Sequence, residues 1–305
     1  MPSTAFNTSY EAHSAEPEYI ETNRSLIRSL DLSEVSRLLD LACGTGLLSD
    51  LVLEQRPGIT VCGLDLDRQQ LKLTEERFGE KGLYAGNGAS GAARGLPSFI
   101  LVEGSADTLP FASGTMDAVL MGNSIHNLPD PGRLVGEIRR VLRPGGLFAF
   151  NSAFYAGTYV PGTEKFHQAW VKEALIYVMN RDRELRAKGE PGLKRKRGTV
   201  SRASARRWLL PREWQDVLES NGLRVSRVHE REVRMTRRSY ETVGSYGGFA
   251  SVVLAGYPVE LACEALQAAV QPALDQTGFT TVPARWLEMA ALKPEGPDER
   301  AKENR

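Results

Sequence analysis

The 305-residue sequence predicts an α/β protein built on a mostly parallel sheet with helices on both faces. Three observations predict it. From Ser36 to Asn151, short apolar runs alternate with stretches of helical spacing, as expected of doubly buried strands joined by crossover helices. One of those runs passes through the glycine-bearing turn "CGTG" directly into a helical pattern. An acid, Asp65, then closes the next apolar run, nineteen residues after Gly46.

The strands read in order. "RLLDLAC" (37–43), "ITVCGLD" (59–65), "SFILVEG" (98–104), "MDAVLMGN" (116–123) and "GLFAFNS" (146–152) are each apolar enough to be buried on both faces. Helical spacing fills 47–56, 68–78 and 130–142, the last with Pro131 early and "RPGG" as its stop. After 151 the alternation breaks. A helix over 164–188 puts Phe166, Trp170, Ala174, Tyr177 and Val178 on or near one face. "LPREWQDVLESNG" (210–222) is a compact helix with Pro near its start and Gly222 as its stop. "LRVSRVHEREVRM" (223–235) reads as a long strand, and 239–272 as two more helices. "ARWLEMAALKP" (284–294) fits a seventh and last strand, able to pair antiparallel with 223–235 at one sheet edge.

The expected organisation is therefore N-terminal lid helices (1–35), a ligand-binding core (36–152), a helical insertion (153–210) and a core helix and strand (211–238). A second helical insertion (239–281) precedes the last strand and a tail (282–305). The insertions are expected to be built over the sheet and not to form a separate domain.

Composition narrows the function classes. Net charge is formally zero, with 38 basic and 38 acidic residues, so nothing draws the whole chain to nucleic acid or membrane. Residues 1–150 carry a net −6 and residues 151–305 a net +6, which suggests different tasks for the halves. The basic charge peaks in "LKRKRGTVSRASARRW" (193–208), with seven cations and no acid. Cys43, Cys62 and Cys263 form no CxxC pair, and Cys43 and Cys62 read as small hydrophobes. Without an apolar leader segment near Met1 or an apolar run of membrane-spanning length, the expected location is cytoplasmic. The Gly-rich stretch 79–98 and the tail 293–305 read as loop and frayed end.

The segment "RLLDLACGTGLLSD" (37–50) carries the chemistry. A buried strand ends at Leu41, Gly44 and Gly46 let the backbone turn tightly against a ligand, and a helix starting near Leu47 points its free N–H groups at the same place. A carboxylate at Asp65 can accept both hydroxyls of a ribose. Nucleoside-type cofactors bind in this crevice of an open α/β sheet, and dinucleotide dehydrogenases share the pattern. Here, however, Ser49 replaces the third glycine of their G-x-G-x-x-G.

Four segments in order, "LLDLACGTG", "VCGLDLD", "GSADTLPFASGTMDAVLMGNSIHNLPDP" and "EIRRVLRPGGLFAF", make residues 1–152 resemble the class I S-adenosylmethionine (SAM)-dependent methyltransferases, their small-molecule branch in particular. The resemblance implies a Rossmann-like seven-stranded sheet with the last strand antiparallel, and SAM as cofactor. It implies that Asp40 lies near the methionine amino group and that the Ala42–Gly46 backbone cradles the amino-acid end and ribose. It further implies that Asp65 takes the ribose hydroxyls, Leu66 packs on adenine, Ala106 offers its N–H to an adenine nitrogen and Asn123 turns its carbonyl to the methionine ammonium. Two positions depart from the family pattern. Ala42 stands where a glycine is usual. Ser105 stands where an Asp usually accepts from the adenine amino group; Ser105 either makes that contact or only caps a turn, and Asp107 is the alternative acceptor.

SAM carries its methyl on a sulfonium, so the protein must align an O, N or C acceptor in line, exclude water and take a proton where needed. Walls are expected from Tyr10, Tyr19, Phe154, Tyr155 and Trp170, a set that suits an aromatic, polyketide or isoprenoid-like acceptor. Candidate bases are His126 in "NSIHNLPD", Glu164 and His167; for each, the alternative is orientation or capping. His13 and His229 read as surface residues, and Asp117 as a loop anchor. No His/Asp/Glu cluster has metal-ligand spacing, and no G-x-S-x-G elbow is present. Arg206 and Arg207 either face solvent or clamp an anionic group on the substrate.

The function expected is methyl transfer to a small molecule, in secondary metabolism or cofactor biosynthesis. A nucleic-acid methyltransferase is disfavoured: no RNA-binding module is recognisable and the cations are not interleaved with aromatics except at Trp208. A non-catalytic SAM-binding protein is the third reading. The sequence leaves the oligomeric state open, a homo-oligomer included.

Overall fold

A computed structural model of the protein describes residues 11–84, 99–195 and 208–296. In chain order it begins α1 (Glu11–Ser14), α2 (Pro17–Arg28), β1 (Arg37–Leu41), α3 (Leu47–Gln55), β2 (Thr60–Asp65), α4 (Arg68–Glu80) and β3 (Phe99–Glu103). There follow β4 (Met116–Gly122), a short 3-10 turn (Ile125–Asn127), α5 (Pro131–Val141), β5 (Leu142–Ser152) and α6 (Glu164–Ala187). The chain ends with α7 (Pro211–Ser220), β6 (Arg224–Met235), α8 (Arg237–Ser245), α9 (Gly247–Val253), α10 (Val259–Ala268), α11 (Val270–Thr277) and β7 (Val282–Leu292).

Local chemistry explains the boundaries. Asp67 opens α4 by accepting the N–H groups of Gln69 at 2.8 Å and Gln70 at 3.4 Å. Asp130 opens α5 by accepting from Arg133, with Pro131 in the first turn where its missing N–H costs nothing. One expectation is corrected: 239–272 was expected to hold two helices, and the structure has four between Arg237 and Thr277. Tyr246 is extended between α8 and α9, and Pro258 is extended at the start of α10. Pro272 cannot donate to the carbonyl of Ala268, which is where α10 gives way to α11.

The chain divides into two compact units. The first contains the described parts of 21–158, 208–231 and 286–305 and holds the sheet, whose strand order is β3-β2-β1-β4-β5-β7-β6. β1 runs parallel to β2 and β4, β2 to β3, and β4 to β5. β7 is antiparallel to β5, with Phe150 opposite Met289, and β6 lies beyond β7 at the edge. The strand order reverses between β1 and β4, so the crevice of this sheet opens where Asp40 and Asn123 stand. The edge strand is charged: Arg231 reaches the fully buried Glu288 of β7 at 2.5 Å, which protects an edge from pairing further. The core of this unit packs Leu39, Val119, Phe148, Phe150, Trp214 and Leu218, the rings of Phe150 and Trp214 lying 5.5 Å apart.

The second unit contains the described parts of 1–20, 159–207 and 232–285. Helices α6, α8, α9, α10 and α11 enclose a core of its own around Phe166, Trp170, Tyr240, Ala262 and Leu266. Trp170 stacks on Phe249 at 5.6 Å and donates its indole N–H to the Leu266 carbonyl at 2.7 Å. Among the described residues no helix is long and apolar enough to cross a membrane.

Trp214 is 3% exposed and joins α7 to the sheet. Replacing it with Ala is expected to cost about 3–5 kcal/mol, read as a lower midpoint in urea unfolding followed by circular dichroism.

Candidate active site

The turn after β1 is fixed by its backbone angles and by side chains of β2 and α4. Ala42 and Gly44 take left-handed backbone angles, φ 58° and 53°, and Gly46 takes φ 78°. The Gly44 N–H donates to Asp65 Oδ2 at 2.8 Å, and the Gly44 carbonyl accepts from the Thr74 hydroxyl at 2.6 Å. Asp65 Oδ1 accepts the Asp67 N–H at 2.9 Å, so this one carboxylate ties the β1 turn to the start of α4. A Cβ on Gly46 would stand 2.6 Å from the Phe78 ring, so no larger residue fits there; a Cβ on Gly44 would meet nothing within 4 Å, because that glycine borders open space.

Asp40, on β1, is 1% exposed. Its Oδ2 accepts both the N–H of Ser49 at 3.0 Å and its hydroxyl at 2.6 Å, and its Oδ1 is buried without a partner. Burial pushes its pKa up to about 7; the Ser49 bonds oppose that shift and the nearby charge of Asp65 adds to it. Ser49, at the position of the missing third glycine, is thus the residue that holds the acid in place.

On the other side of the crevice, Asn123 is buried at φ 43°, a strained angle for a side chain other than glycine. Its N–H donates to Asn151, its side-chain oxygen accepts the Ala153 N–H at 2.7 Å, and the 3-10 turn follows. In that turn His126 lies with Nδ1 3.1 Å from Ser152 Oγ and its ring 4.4 Å from Phe154. Burial holds its pKa down at about 3. Phe154 in turn meets Trp208 edge-on at 5.8 Å.

After β3, the Ser105 hydroxyl accepts the Asp107 N–H at 3.2 Å, and Ala106 is buried beside it. Asp107 Oδ1 is buried without a partner. Leu66 is 71% exposed after β2, a surface a flat ring could cover. The structure brings Asp40, Ala42, Gly44, Gly46, Asp65, Leu66, Ser105, Ala106 and Asn123 to the strand ends of the sheet-bearing unit, together with His126 and Phe154. Tyr155, expected as a chamber wall, is instead fully buried in that unit's core, its hydroxyl donating to Glu230 at 2.6 Å. Asp117 lies at the opposite end of β4, where it accepts the N–H groups of Ser36 and Arg37.

The helical unit holds the other candidates. Glu164 is exposed at the start of α6 and accepts the Gly162 N–H at 2.7 Å, an N-terminal role. His167 lies 4.4 Å from Tyr159 and 6.0 Å from Tyr240, ring to ring; its Nε2 is buried without a partner, and burial lowers its pKa to about 4. Trp170 is a core residue. Tyr19 is buried edge-on to His13 at 5.2 Å, and His13 itself is buried near Thr242. Tyr10, Arg206 and Arg207 lie outside the described residues. No metal-binding cluster of His, Cys, Asp or Glu occurs among the described residues.

Sequence reasoning missed Thr74, Asn23 and Asn151, each buried in the unit that holds the sheet. Nothing in the spacing of Thr74 marks it, since its contact with Gly44 exists only once α4 packs beside the turn.

A sheet of this order, with a buried acid on β1, a Gly-lined turn after it and a second acid at the end of β2, has the architecture of class I SAM-dependent methyltransferases. Residues 39–150 match the family described as methyltransferase domain. Over 150 residues the chain is 29% identical to the uncharacterized chloroplastic methyltransferase At1g78140 of Arabidopsis thaliana, covering 48% of this chain and 40% of that one. It is likewise 29% identical over 150 residues to the demethylmenaquinone methyltransferase of Anoxybacillus flavithermus, covering 45% of this chain and 58% of that one. The matches thus span about half the length of these relatives. Among solved structures, the fold is shared with the [4+2]-cyclase SpnF at TM-score 0.53 and 19% identity, covering 91% of this chain and 82% of the other. It is also shared with phosphoethanolamine N-methyltransferase 2 of Haemonchus contortus, solved with S-adenosylhomocysteine, at TM-score 0.50 and 16% identity, covering 90% and 52%.

The left-handed angle at Ala42 carries a cost a glycine would avoid. Ala42→Gly is expected to stabilise the protein by about 0.5–1 kcal/mol, the relieved strain being partly offset by greater freedom of the unfolded chain. Thermal melting checks it, and an unchanged or lower midpoint would count against strain at this residue.

Proposed function

We propose that the protein is a SAM-dependent methyltransferase acting on a small-molecule acceptor, aromatic or isoprenoid-like, in secondary metabolism or cofactor biosynthesis. One observation carries the reading: Asp40 keeps a buried oxygen unpartnered in the crevice where the strand order reverses, on the strand that leads into the turn at Gly44. Such an oxygen requires a donor, and the ammonium of a methionine moiety is one. SAM supplies a methyl on a sulfonium for in-line transfer to the acceptor, leaving S-adenosylhomocysteine (SAH).

The chain's own residues then divide the work. Asp65 accepts from the ribose, Leu66 covers adenine, and the Asn123 carbonyl faces the ammonium from the β4 side. Because the Ser105 hydroxyl already accepts the Asp107 N–H, Asp107 Oδ1 takes the adenine amino group, two residues after the place where the family's acid stands. A His126 held neutral to about pH 3 is a weak proton acceptor, so it orients Phe154 and the acceptor and does not take a proton. The demethylmenaquinone methyltransferases among the relatives support a ring-bearing acceptor.

The test is transfer of labelled methyl from SAM to a panel of hydroxylated aromatics, quinols and isoprenoids, some bearing carboxylate or phosphate, with bulk RNA as the competing acceptor. Label is expected in a small molecule. Label in RNA alone, or SAM bound with no transfer to any acceptor, would sink the proposal.

Asp40 also predicts a pH dependence. Its pKa is about 7 in the folded chain against the ordinary carboxyl value of 3.8, so preferential protonation stabilises the fold below pH 3.8 and that contribution is lost as pH rises through 7. Its neighbours Asp65 and Cys43 add no cation that would hold the carboxylate ionised. An ammonium ligand needs the ionised form, so SAH binding must expel the proton. Affinity is expected to weaken by about 20–30-fold between pH 7.5 and 5.5, as the ionised fraction falls. Calorimetry at the two pH values measures it; a flat profile would remove Asp40 from the ammonium site.

A further inference from the structure

Asn123 is held by a chain of side-chain amides that reaches away from the crevice into α2. Its N–H donates to Asn151 Oδ1 at 2.9 Å and to the Asn151 carbonyl at 3.1 Å. The same Asn151 side chain donates through Nδ2 to Asn23 Oδ1 at 3.0 Å. Asn23, Asn151 and Asn123 are 1%, 0% and 3% exposed, and all three belong to the unit that holds the sheet. The close approach of α2 to β4 is fixed as well, since a Cβ on Gly122 would stand 3.1 Å from Asn23 Oδ1.

We infer that Asn23 and Asn151 are positioning residues for the cofactor, and that α2 thereby sets the carbonyl of Asn123 that faces its amino-acid end. The physical reason lies in the backbone of Asn123. A left-handed non-glycine residue persists only where its surroundings over-determine it. Here the determination comes from both sides: the Asn123 side chain accepts the Ala153 N–H, and its own N–H is taken by the Asn151 amide. An amide side chain can rotate by half a turn and exchange its oxygen for its nitrogen. Asn151 presents oxygen to Asn123 because Asn23 takes the hydrogen on the opposite side. Without that acceptor, a buried N–H of Asn151 is left unpaired, and one of the two bonds that hold the side chain in the orientation that pins Asn123 is lost. Their named bonds run among the three and to Ala153, and Asp65, Leu66 and Asp107 on the adenine side take no part in them. The relay therefore acts on one end of the cofactor only.

This inference rests on the proposed cofactor, and the experiment separates the two. SAH carries the amino-acid end; 5′-methylthioadenosine shares the nucleoside and lacks it. Both are titrated into the wild-type protein, Asn23→Leu, Asn23→Asp and Asn23→Ser, with circular dichroism and melting temperature recorded for each. Asn23→Leu is expected to weaken SAH by about tenfold or more, the worth of one buried bond, and to leave 5′-methylthioadenosine within about twofold. Asn23→Asp keeps an acceptor at that place and is expected to restore most of the SAH affinity. If Asn23→Leu does not fold, Asn23→Ser, which is too short to reach, replaces it in the same comparison. Equal losses for both ligands, or SAH affinity untouched in the folded variants, overturn the relay while leaving the methyltransferase reading standing. A wild-type protein that binds neither ligand overturns both.

Discussion

A carboxylate buried in a sheet with one oxygen bonded and the other bare is an unfavourable arrangement, and the site of this protein is organised around it. Asp40 gives Oδ2 to Ser49 twice and leaves Oδ1 without a donor. The chain accepts a raised pKa and an unsatisfied atom at the point where its strand order reverses. Strands β1 and β4 must part there, since the crossovers leave in opposite directions. The parting gives the turn at Ala42–Gly46 room, and Asp65 and Thr74 then fix that turn from the β2 and α4 side. The unfavourable carboxylate and the ligand crevice therefore have one topological origin.

Several other buried polar groups near the crevice are engaged with one another. Asn123, Asn151 and Asn23 satisfy one another in a chain, and Ser152 Oγ lies between His126 Nδ1 and the Phe154 N–H. Buried networks of this kind favour one geometry because any rotation leaves an unpaired group in low dielectric. The crevice thus combines rigid walls with two bare acceptors, Asp40 Oδ1 and Asp107 Oδ1. Rigid walls with unmatched acceptors are what a preorganised site for a ligand rich in N–H donors requires.

Much of this was legible in the sequence, and the reason is periodicity. All seven strands and the helices of 47–56, 68–78, 130–142, 164–188 and 210–222 occur within a few residues of where apolar spacing and Pro or Gly punctuation put them. The first stretch to resist was 239–272, where the glycines mislead as punctuation: Gly244 lies inside α8, and Gly247 and Gly248 lie inside α9. Its breaks at Tyr246, Pro258 and Ala269 depend on single residues and not on a change of period. Aromatic composition also misled at particular positions. Tyr155 and Trp170 carry the polar tips expected of chamber walls, yet Glu230 and the Leu266 carbonyl satisfy those tips inside two cores. From sequence a satisfied hydroxyl and an available one look alike.

The same limit explains why the amide relay could not be read in advance. Asn23 and Asn151 are 128 residues apart, lie in a helix and a strand, and resemble ordinary polar interruptions of apolar patterns. Their meaning depends on a third residue, Asn123, whose left-handed backbone is itself invisible in the sequence. Gly44 and Gly46 announce their conformation by their identity, but Ala42 and Asn123 adopt the same region without announcing it. Two halves of one crevice are thus stabilised by different means. On the β1 side glycine makes the unusual backbone inexpensive, with Ala42 as the exception. On the β4 side a buried chain of amides must hold it, and so the geometry of that side depends on a helix that the motif does not contain.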